Sequence, residues 1–200
     1  MKEKNNIGII ILAAGNSSRL GQPKQLLRFN NTTLLENTVD AAQQIPNAII
    51  IVVLGSEHEL IEQKLKLSQI KISYNKNWIS GMSSSIVNGL SDLLNSAAVI
   101  DNCIISVCDQ PFINSSVFEN LLKEHKRTGA GIVSSSYNET IGIPVLFDKK
   151  YFKELLELEG QEGAKKLIGK FSDDCVSVAF SKGGIDIDTP EDYNQLNALF

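Results

Sequence analysis

The sequence predicts an α/β protein with a Rossmann-like, three-layer fold, in which a mostly parallel, twisted sheet carries helices on both faces. Its strand candidates are short, continuous apolar runs rich in Ile and Val, as at residues 7–12 and 49–54, a pattern typical of strands buried on both faces. Helical segments with polar starts separate these runs along the chain. Alternating βαβ units imply a largely parallel sheet. We expect residues 1–200 to form a single domain, because this length suffices for one hydrophobic core.

Capping signals and hydrophobic patterning locate the elements. Residues 33–36 and 56–59 each read as a capping box, which predicts helices running to about residues 44 and 67. Further strands are predicted at residues 70–74, 103–107, 132–135, 144–147 and 175–180. Further helices are predicted at residues 83–94, 115–127, 149–158 and 162–169, with a last one from Pro190 to about residue 199.

Composition narrows the classes of function and location. The formal net charge is −4 and no dense Lys/Arg stripe occurs, so a nucleic acid partner is disfavoured. Three cysteines without a CxxC pair disfavour a zinc site or a disulfide framework and suit the reducing cytoplasm. The apolar run at residues 7–14 is too short to span a bilayer and lacks the layout of a signal peptide. We therefore expect a cytoplasmic protein without a membrane partner.

The loop after the first predicted strand is the leading candidate for an anion site, because ligands of such folds bind beyond the carboxyl ends of the strands. Small residues from Ala13 to Gly15 let a ligand approach the backbone, and successive amides in such a loop can bind an anion. Ser17 adds a hydroxyl donor, and Arg19 and Lys24 add positive charge suited to a triphosphate.

Two common phosphate-binding motifs do not match this loop. Gly15 and Gly21 are separated by five residues, with Lys24 three further on, so the loop is neither GxxxxGK[ST] nor GxGxxG. A γ-phosphoryl kinase and a dinucleotide oxidoreductase are both disfavoured. For any one of these residues, a glycine turn with solvated cations would be the simpler interpretation, but their combination after a buried strand favours a binding loop.

Acidic residues follow two other predicted elements. Asp109 comes directly after the strand at residues 103–107, where an ordinary loop or capping Asp is the alternative. Asp186 and Asp188 would point to one side of an extended segment, opposite Ile185 and Ile187. Magnesium commonly takes one or two carboxylates together with phosphate oxygens and water. Asp186 and Asp188 are therefore a candidate pair of magnesium ligands, and Asp109 is a further candidate.

A polar segment at residues 75–85 leads into a predicted helix and holds the only Trp, Trp78. Serines at a helix N-terminus, here Ser83 and Ser84, offer both amides and hydroxyls to an anion. The alternative is that Ser83 merely caps the helix and Trp78 packs on the surface.

These motifs together resemble the MobA-like nucleotidyltransferase family, which includes the molybdenum cofactor guanylyl- and cytidylyltransferases. The loop at residues 12–24 is similar to the signature LAAGxSxRMGxxK at every fixed position except Leu20, where the family usually has Met. D-Q-P at residues 109–111 and D-x-D-T-P-E-D at residues 186–192 resemble the metal-binding positions of the family. With this resemblance, we predict a magnesium site with Asp109 and Asp188 as the main ligands and Asp186 as the second choice. The segment at residues 75–85 resembles NxxWxxGMxSS of the molybdopterin cytidylyltransferase branch.

The resemblance implies a magnesium-dependent enzyme that moves CMP from CTP to molybdopterin, or to its molybdenum-loaded form, and releases pyrophosphate. It implies that Arg19 and Lys24 are catalytic and hold the triphosphate, with Lys24 stabilising charge at the α-phosphate. The implied nucleotide-binding residues are Leu12, Ala13, Ala14, Gly15, Ser17, Arg19, Lys24, Gly81, Ser83, Ser84 and Asp109. The implied acceptor-binding residues are Trp78, Met82, Gly142 and Pro144. A molybdoenzyme of the xanthine dehydrogenase type would be the implied protein partner.

Two alternatives stay open for the function. The branch usually has G-D-x-G-A-R where this chain has Gln161 and Lys165 in place of the Asp and Arg, so the acceptor could be a sugar phosphate or another phosphorylated molecule. A non-catalytic protein that binds and delivers the finished cofactor is the other alternative. The presence of Arg19, Lys24, Asp109 and Asp188 argues against it, because delivery needs no site for a metal and a triphosphate.

Overall fold

The computed structural model describes residues 6–64, 70–96 and 98–198 and contains a seven-stranded sheet and a two-stranded hairpin. The strands are β1 (Asn6–Ala13), β2 (Arg28–Phe29), β3 (Thr32–Thr33), β4 (Ala48–Leu54), β5 (Lys71–Tyr74), β6 (Ile100–Val107), β7 (Ile132–Tyr137), β8 (Thr140–Asp148) and β9 (Cys175–Ala179). The helices are α1 (Leu34–Gln43), α2 (His58–Lys64), α3 (Met82–Leu94), α4 (Ser115–Thr128), α5 (Phe152–Leu156), α6 (Ala164–Lys170) and α7 (Pro190–Asn197).

The large sheet is mixed, with a parallel half and an antiparallel step. Its strand order is β5-β4-β1-β6-β8-β7-β9. Strands β5, β4, β1 and β6 pair in parallel, β8 pairs antiparallel with both β6 and β7, and β9 runs parallel to β7. The predicted α/β fold with a mostly parallel sheet is therefore confirmed.

The central strand β1 is buried on both of its faces, as its unbroken apolar sequence predicted. On one face Ile9 belongs to a core cluster with residues of α1 and α4, including Leu35 and Phe118. On the other face Ile10 belongs to a second cluster with residues of α3, including Leu90. Helices thus cover both faces, which confirms the three layers. No helix within the described ranges is long and apolar enough to cross a membrane.

The antiparallel strand β8 is longer than the sequence analysis predicted. The predicted strand at residues 144–147 is the last part of β8, which begins at Thr140 and pairs with Tyr137 across a two-residue turn. Both turn residues are left-handed, with φ of 47° at Asn138 and 60° at Glu139. A hairpin turn of this kind usually carries Gly in its second position, so the Asn-Glu pair gave no turn signal.

Several helix boundaries also differ from the prediction. Glu57 has a φ of 55°, which is incompatible with a helical first residue, so α2 begins at His58 and the predicted capping box at residues 56–59 is wrong. The predicted extension of this helix to residue 67 lies outside the described residues, as does the predicted end of the last helix at residue 199. The helix predicted at residues 149–158 is instead a 3₁₀ turn, Lys149–Tyr151, followed by α5.

A small third apolar cluster connects distant parts of the chain. It contains Leu20 and Leu27 of the first loop, Phe29 of β2, Leu34 of α1, Leu196 of α7, and Ile187 of the segment that precedes α7. The hairpin formed by β2 and β3, which contributes to this cluster, was not predicted. The cluster attaches the segment before α7 to the loop after β1.

Because Glu139 is left-handed, we predict that its substitution by glycine stabilises the protein. Holding a residue with a side chain in this conformation costs about 1 kcal/mol or more, and glycine avoids that cost. We expect Glu139→Gly to raise the free energy of unfolding by about 1 kcal/mol and Tm by about 2–4 °C. Thermal unfolding followed by circular dichroism would measure the shift. Asn138→Gly is the matched control and should gain less, because Asn tolerates this conformation; an unchanged or lower Tm for Glu139→Gly would contradict the turn.

Candidate active site

The loop after β1 has a defined shape that its own residues hold. Ser17 is left-handed, with a φ of 51°, and its Oγ accepts a hydrogen bond of 2.9 Å from the backbone nitrogen of Lys24. Gln25, only 1% exposed, donates through Nε2 to the carbonyl oxygens of Ala13 at 2.7 Å and Gly15 at 3.2 Å. The sequence analysis did not single out Gln25, yet its hydrogen bonds connect the end of the loop to its beginning at Ala13 and Gly15.

The loop is closely packed on one side and open on the other. A Cβ added to Gly15 would meet no atom within 4 Å. A Cβ added to Gly55, at the end of β4, would lie 2.7 Å from both the carbonyl oxygen of Ala14 and Cβ of Trp78. Gly15, one of the predicted small residues, therefore faces free space that a ligand could fill. Gly55, which the sequence analysis did not single out, permits close packing beneath the loop.

Lys24 lies between two of the predicted acids. Its Nζ donates to Asp109 Oδ2 at 2.8 Å and to Asp188 Oδ1 at 2.5 Å. The side chain of Lys24 is 14% exposed and that of Asp109 is 21% exposed, so water screens this pair less than a surface ion pair. Arg19, which is 67% exposed, donates from NH2 to Asp188 Oδ2 at 2.9 Å. The fold thus brings Arg19, Lys24, Asp109 and Asp188 together, although these residues come from three distant segments.

The electrostatics of the cluster keep both Lys24 and Asp188 charged. Burial opposes the charge on Lys24, but the charges and hydrogen bonds of Asp109 and Asp188 outweigh it and raise the pKa of the ammonium. Burial also opposes ionisation of Asp188, yet the hydrogen bond and charge of Lys24 and the charge of Arg19 lower its pKa. Lys24 is therefore a protonated donor that faces the ionised carboxylate of Asp188.

The segment that carries Asp186 and Asp188 has no regular secondary structure and is fixed by its neighbours. The backbone nitrogen of Ile187 donates to the carbonyl oxygen of Asp109 at 3.0 Å, and its side chain is fully buried. Ile185, predicted on the same side as Ile187, is instead 39% exposed. Partial burial and the negative charges of Asp109 and Asp188 raise the pKa of Asp186 to about 6. Asp186 is therefore close enough to Asp109 and Asp188 to interact with them electrostatically.

Gln110 supplies a second buried support for this segment. It is 2% exposed and donates through Nε2 to the carbonyl oxygens of Gly183 at 2.7 Å and Ile143 at 3.2 Å. It thereby links the loop after β6 to β8 and to the segment that precedes Asp186. Its position within the D-Q-P motif was the only signal in the sequence.

The donor chemistry of the cluster fits a hard divalent cation. Asp109 and Asp188 present carboxylate oxygens to a single point, which Lys24 Nζ fills, and such oxygens are the protein ligands that magnesium prefers. Within the described part of the chain, no group of three or more His, Cys, Asp or Glu side chains is arranged to hold a metal by itself. A cation here would take two carboxylates and complete its shell with other oxygens, as magnesium does when it binds with phosphates.

The segment before α3 places its serines against backbone rather than at the cap. Gly81, with a φ of 108°, occupies the N-cap, so the alternative in which Ser83 caps the helix is wrong. Ser83 Oγ donates to the carbonyl oxygen of Gly160 at 2.6 Å, and Ser84 Oγ donates to that of Gly81 at 2.8 Å. Trp78 is partly buried against the core.

Of the remaining predicted acceptor-binding residues, Met82 begins α3, whereas Gly142 and Pro144 are buried in β8. Met82 is 43% exposed, and its Sδ lies 2.9 Å from where a Cβ on Gly163 would be. A Cβ on Gly142 would collide with the hydroxyl of Tyr137. The carbonyl oxygen of Pro144 accepts a hydrogen bond of 2.7 Å from Ser135 Oγ. Packing of Tyr137 accounts for Gly142, and a role of these residues toward an acceptor stays a prediction.

A lysine held between carboxylates, beyond the ends of parallel strands and beneath an open glycine loop, is an arrangement that suits enzymes acting on nucleotide phosphates. The chain belongs to the MobA-like NTP transferase domain family, whose model matches residues 9–175. This finding confirms the predicted family and makes the protein a member of a nucleotidyltransferase family.

Individual relatives match almost the whole chain, and two of them differ in their named activities. The molybdenum cofactor cytidylyltransferase of Escherichia coli K12 is 25% identical over 94% of this chain and 93% of its own. The nicotine blue oxidoreductase of Paenarthrobacter nicotinovorans is 26% identical over 94% of each chain. The crystal structure of the Mycobacterium tuberculosis Rv0371c homolog from Mycobacterium sp. strain JC1 is 30% identical, covers 96% of each chain and superimposes with a TM-score of 0.82.

The contrast between Gly15 and Gly55 predicts two different phenotypes. Gly15→Val should leave Tm within about 1 °C, because its side chain enters free space, but should weaken triphosphate binding at least about tenfold by obstructing approach to the loop. Gly55→Ala is the matched control and should lower Tm, because its methyl group overlaps backbone. Differential scanning fluorimetry and calorimetric titration with CTP would measure both. Unchanged CTP affinity in Gly15→Val would place the triphosphate elsewhere.

Proposed function

We propose that this protein is a magnesium-dependent cytidylyltransferase that moves CMP from CTP to molybdopterin, or to its molybdenum-loaded form, and releases pyrophosphate. The observation that carries the proposal is the position of Lys24, which Asp109 and Asp188 hold at 2.8 Å and 2.5 Å beside the open loop after β1. Membership of a nucleotidyltransferase family supports the reaction class.

The chemistry is a displacement at the α-phosphorus of the nucleotide. An ionised phosphate oxygen of the acceptor attacks the α-phosphorus, and the bond to the oxygen that bridges the α- and β-phosphates breaks. Pyrophosphate departs with that electron pair. An ionised phosphate nucleophile has no proton to lose, so no general base is required. The developing negative charge needs fixed positive charge, and Lys24 and Arg19 are the residues that supply it.

The residues that would hold the cation are Asp109 and Asp188, with Asp186 as an additional carboxylate. A bound magnesium ion would neutralise charge on the phosphate oxygens. Gln110 and the hydrogen bond from Ile187 to Asp109 keep the two acidic segments at a fixed separation. Gln110 and Ile187 therefore position the acids that would bind the cation.

The choice of CTP and molybdopterin rests on resemblance rather than on contacts. The segment at residues 75–85 matches the molybdopterin cytidylyltransferase branch, and one relative over the full length bears that name. Another full-length relative is named an oxidoreductase, so family membership alone does not fix the substrate. In the proposed role the protein would work in the cytoplasm and pass its product to a molybdoenzyme, for which the xanthine dehydrogenase type is the candidate.

Pyrophosphate release tests the proposal directly. The purified protein is incubated with magnesium and molybdopterin, and CTP, GTP, ATP and UTP are supplied in parallel. Release with CTP alone is the expected result. Release only when a sugar phosphate replaces molybdopterin would move the acceptor to the alternative class, and no release or nucleotide binding with any combination would refute an enzymatic role.

Substitutions in the cluster test the residue assignment. Lys24→Ala and Asp109→Asn should each lower turnover about 100-fold or more, the usual effect of losing one preorganised electrostatic group. Arg19→Ala should mainly weaken triphosphate binding, because this guanidinium is exposed. Lys123→Ala, which removes an exposed lysine on α4, is the control and should leave the steady-state rate unchanged. Wild-type turnover in both Lys24→Ala and Asp109→Asn would show that the reaction occurs elsewhere.

A further inference from the structure

We infer that Lys24 holds the place of the divalent cation until substrate arrives, so that the site accepts a cation and a triphosphate together and resists either one alone. This inference rests on the proposed function and adds how the same site selects the form of its substrate. It follows from the partners that Lys24 has in the structure.

The first step concerns the cation. Lys24 Nζ makes two charge-assisted hydrogen bonds, to Asp109 Oδ2 and Asp188 Oδ1, which are the same carboxylates that would hold a metal. A cation bridging these two acids must displace the ammonium from both. Because the side chain of Lys24 is only 14% exposed, the displaced charge cannot move freely into water and would remain near the incoming dication. Without an anion to receive Lys24, binding of the metal is opposed.

The second step concerns the triphosphate. A polyanion that attracts Lys24 away from its partners leaves Asp109 and Asp188 without their shared cation, next to new negative charge. Arg19 cannot compensate fully, because it contacts only Asp188 of the two and is 67% exposed. Binding of a triphosphate without a metal is therefore opposed by like-charge repulsion.

When both ligands arrive, each charge gains a partner. The phosphates receive Lys24, and the dication receives Asp109 and Asp188. Before the exchange, Lys24 alone pairs with the two acids. Afterwards Lys24 pairs with the phosphates and the dication pairs with Asp109 and Asp188, so no buried charge is left without a partner, which is the condition under which buried ion pairs are favourable. Cation and triphosphate are then coupled, and by linkage each raises the affinity of the other by the same factor.

The cation arm of the test uses Mn²⁺ alone, with binding measured from the electron paramagnetic resonance signal of the free ion. Lys24→Gln should raise the affinity for Mn²⁺ about tenfold or more, because it removes both competing hydrogen bonds. Arg19→Gln removes the same charge from the same loop but competes at one carboxylate only, from an exposed position. It is the matched control and should change the affinity less than about threefold.

The nucleotide arm uses CTP in excess EDTA, followed by calorimetry. Asp188→Asn keeps the shape of the side chain, releases Lys24 from one carboxylate and removes one repelling charge. It should bind metal-free CTP at least about tenfold more tightly than the wild type. Thermal unfolding of every variant verifies that the fold is retained, and Asp173→Asn, an acid outside the cluster, is the control for net charge.

The outcomes separate the inference from the proposed function. Tighter Mn²⁺ binding in Lys24→Gln than in Arg19→Gln, with tighter metal-free CTP binding in Asp188→Asn, supports the inference. If wild-type protein binds Mn²⁺ and CTP together but neither substitution changes the single-ligand affinities, the inference is wrong and the proposed function stands. If no combination of Mn²⁺ and CTP binds the wild type, both fail.

Discussion

The paired contacts of Lys24 with Asp109 and Asp188 are the interaction on which the rest of the site depends. They join segments separated by 85 and 164 residues in the chain. None of these segments belongs to a regular strand at its functional residue, so the charges themselves, together with the hydrogen bond from Ile187 to the carbonyl of Asp109, set their mutual positions. The sheet positions the loops, and Lys24 joins the three segments through its contacts with Asp109 and Asp188.

The two halves of the sheet support this site in different ways. The parallel half ends in the loops after β1, β4 and β6, and its tight contact at Gly55 brings the first two loops together. The antiparallel half contributes β8 and the hairpin that carries Tyr137, and Gln110 attaches it to the acid-bearing loops. The proposed reaction between two phosphorylated molecules would need two adjacent surfaces, and the change of strand direction beside β6 creates such a boundary.

Hydrophobic runs and motifs were sufficient to predict the fold class, the main strands and the four charged residues of the cluster. They succeeded because a strand buried on both faces must be apolar throughout, and because Arg19, Lys24, Asp109 and Asp188 occur in long motifs. The features that were missed depend on local conformation or on distant partners. The Asn138-Glu139 turn lacks its usual Gly, and the supports Gln25 and Gln110 have meaning only once remote carbonyl groups lie beside them.

The order of segments along the chain has a consequence for the making of the protein. Chains emerge from the ribosome amino-terminus first, and folding proceeds as they do. Lys24 and Asp109 are synthesised before Asp188, which follows all nine strands of the described residues and is held through Ile187 in the third apolar cluster. A nascent chain can therefore complete its sheet before Asp188 joins Lys24 and Asp109. In the proposed function, the ability to bind substrate would therefore be the last property that the growing polypeptide acquires.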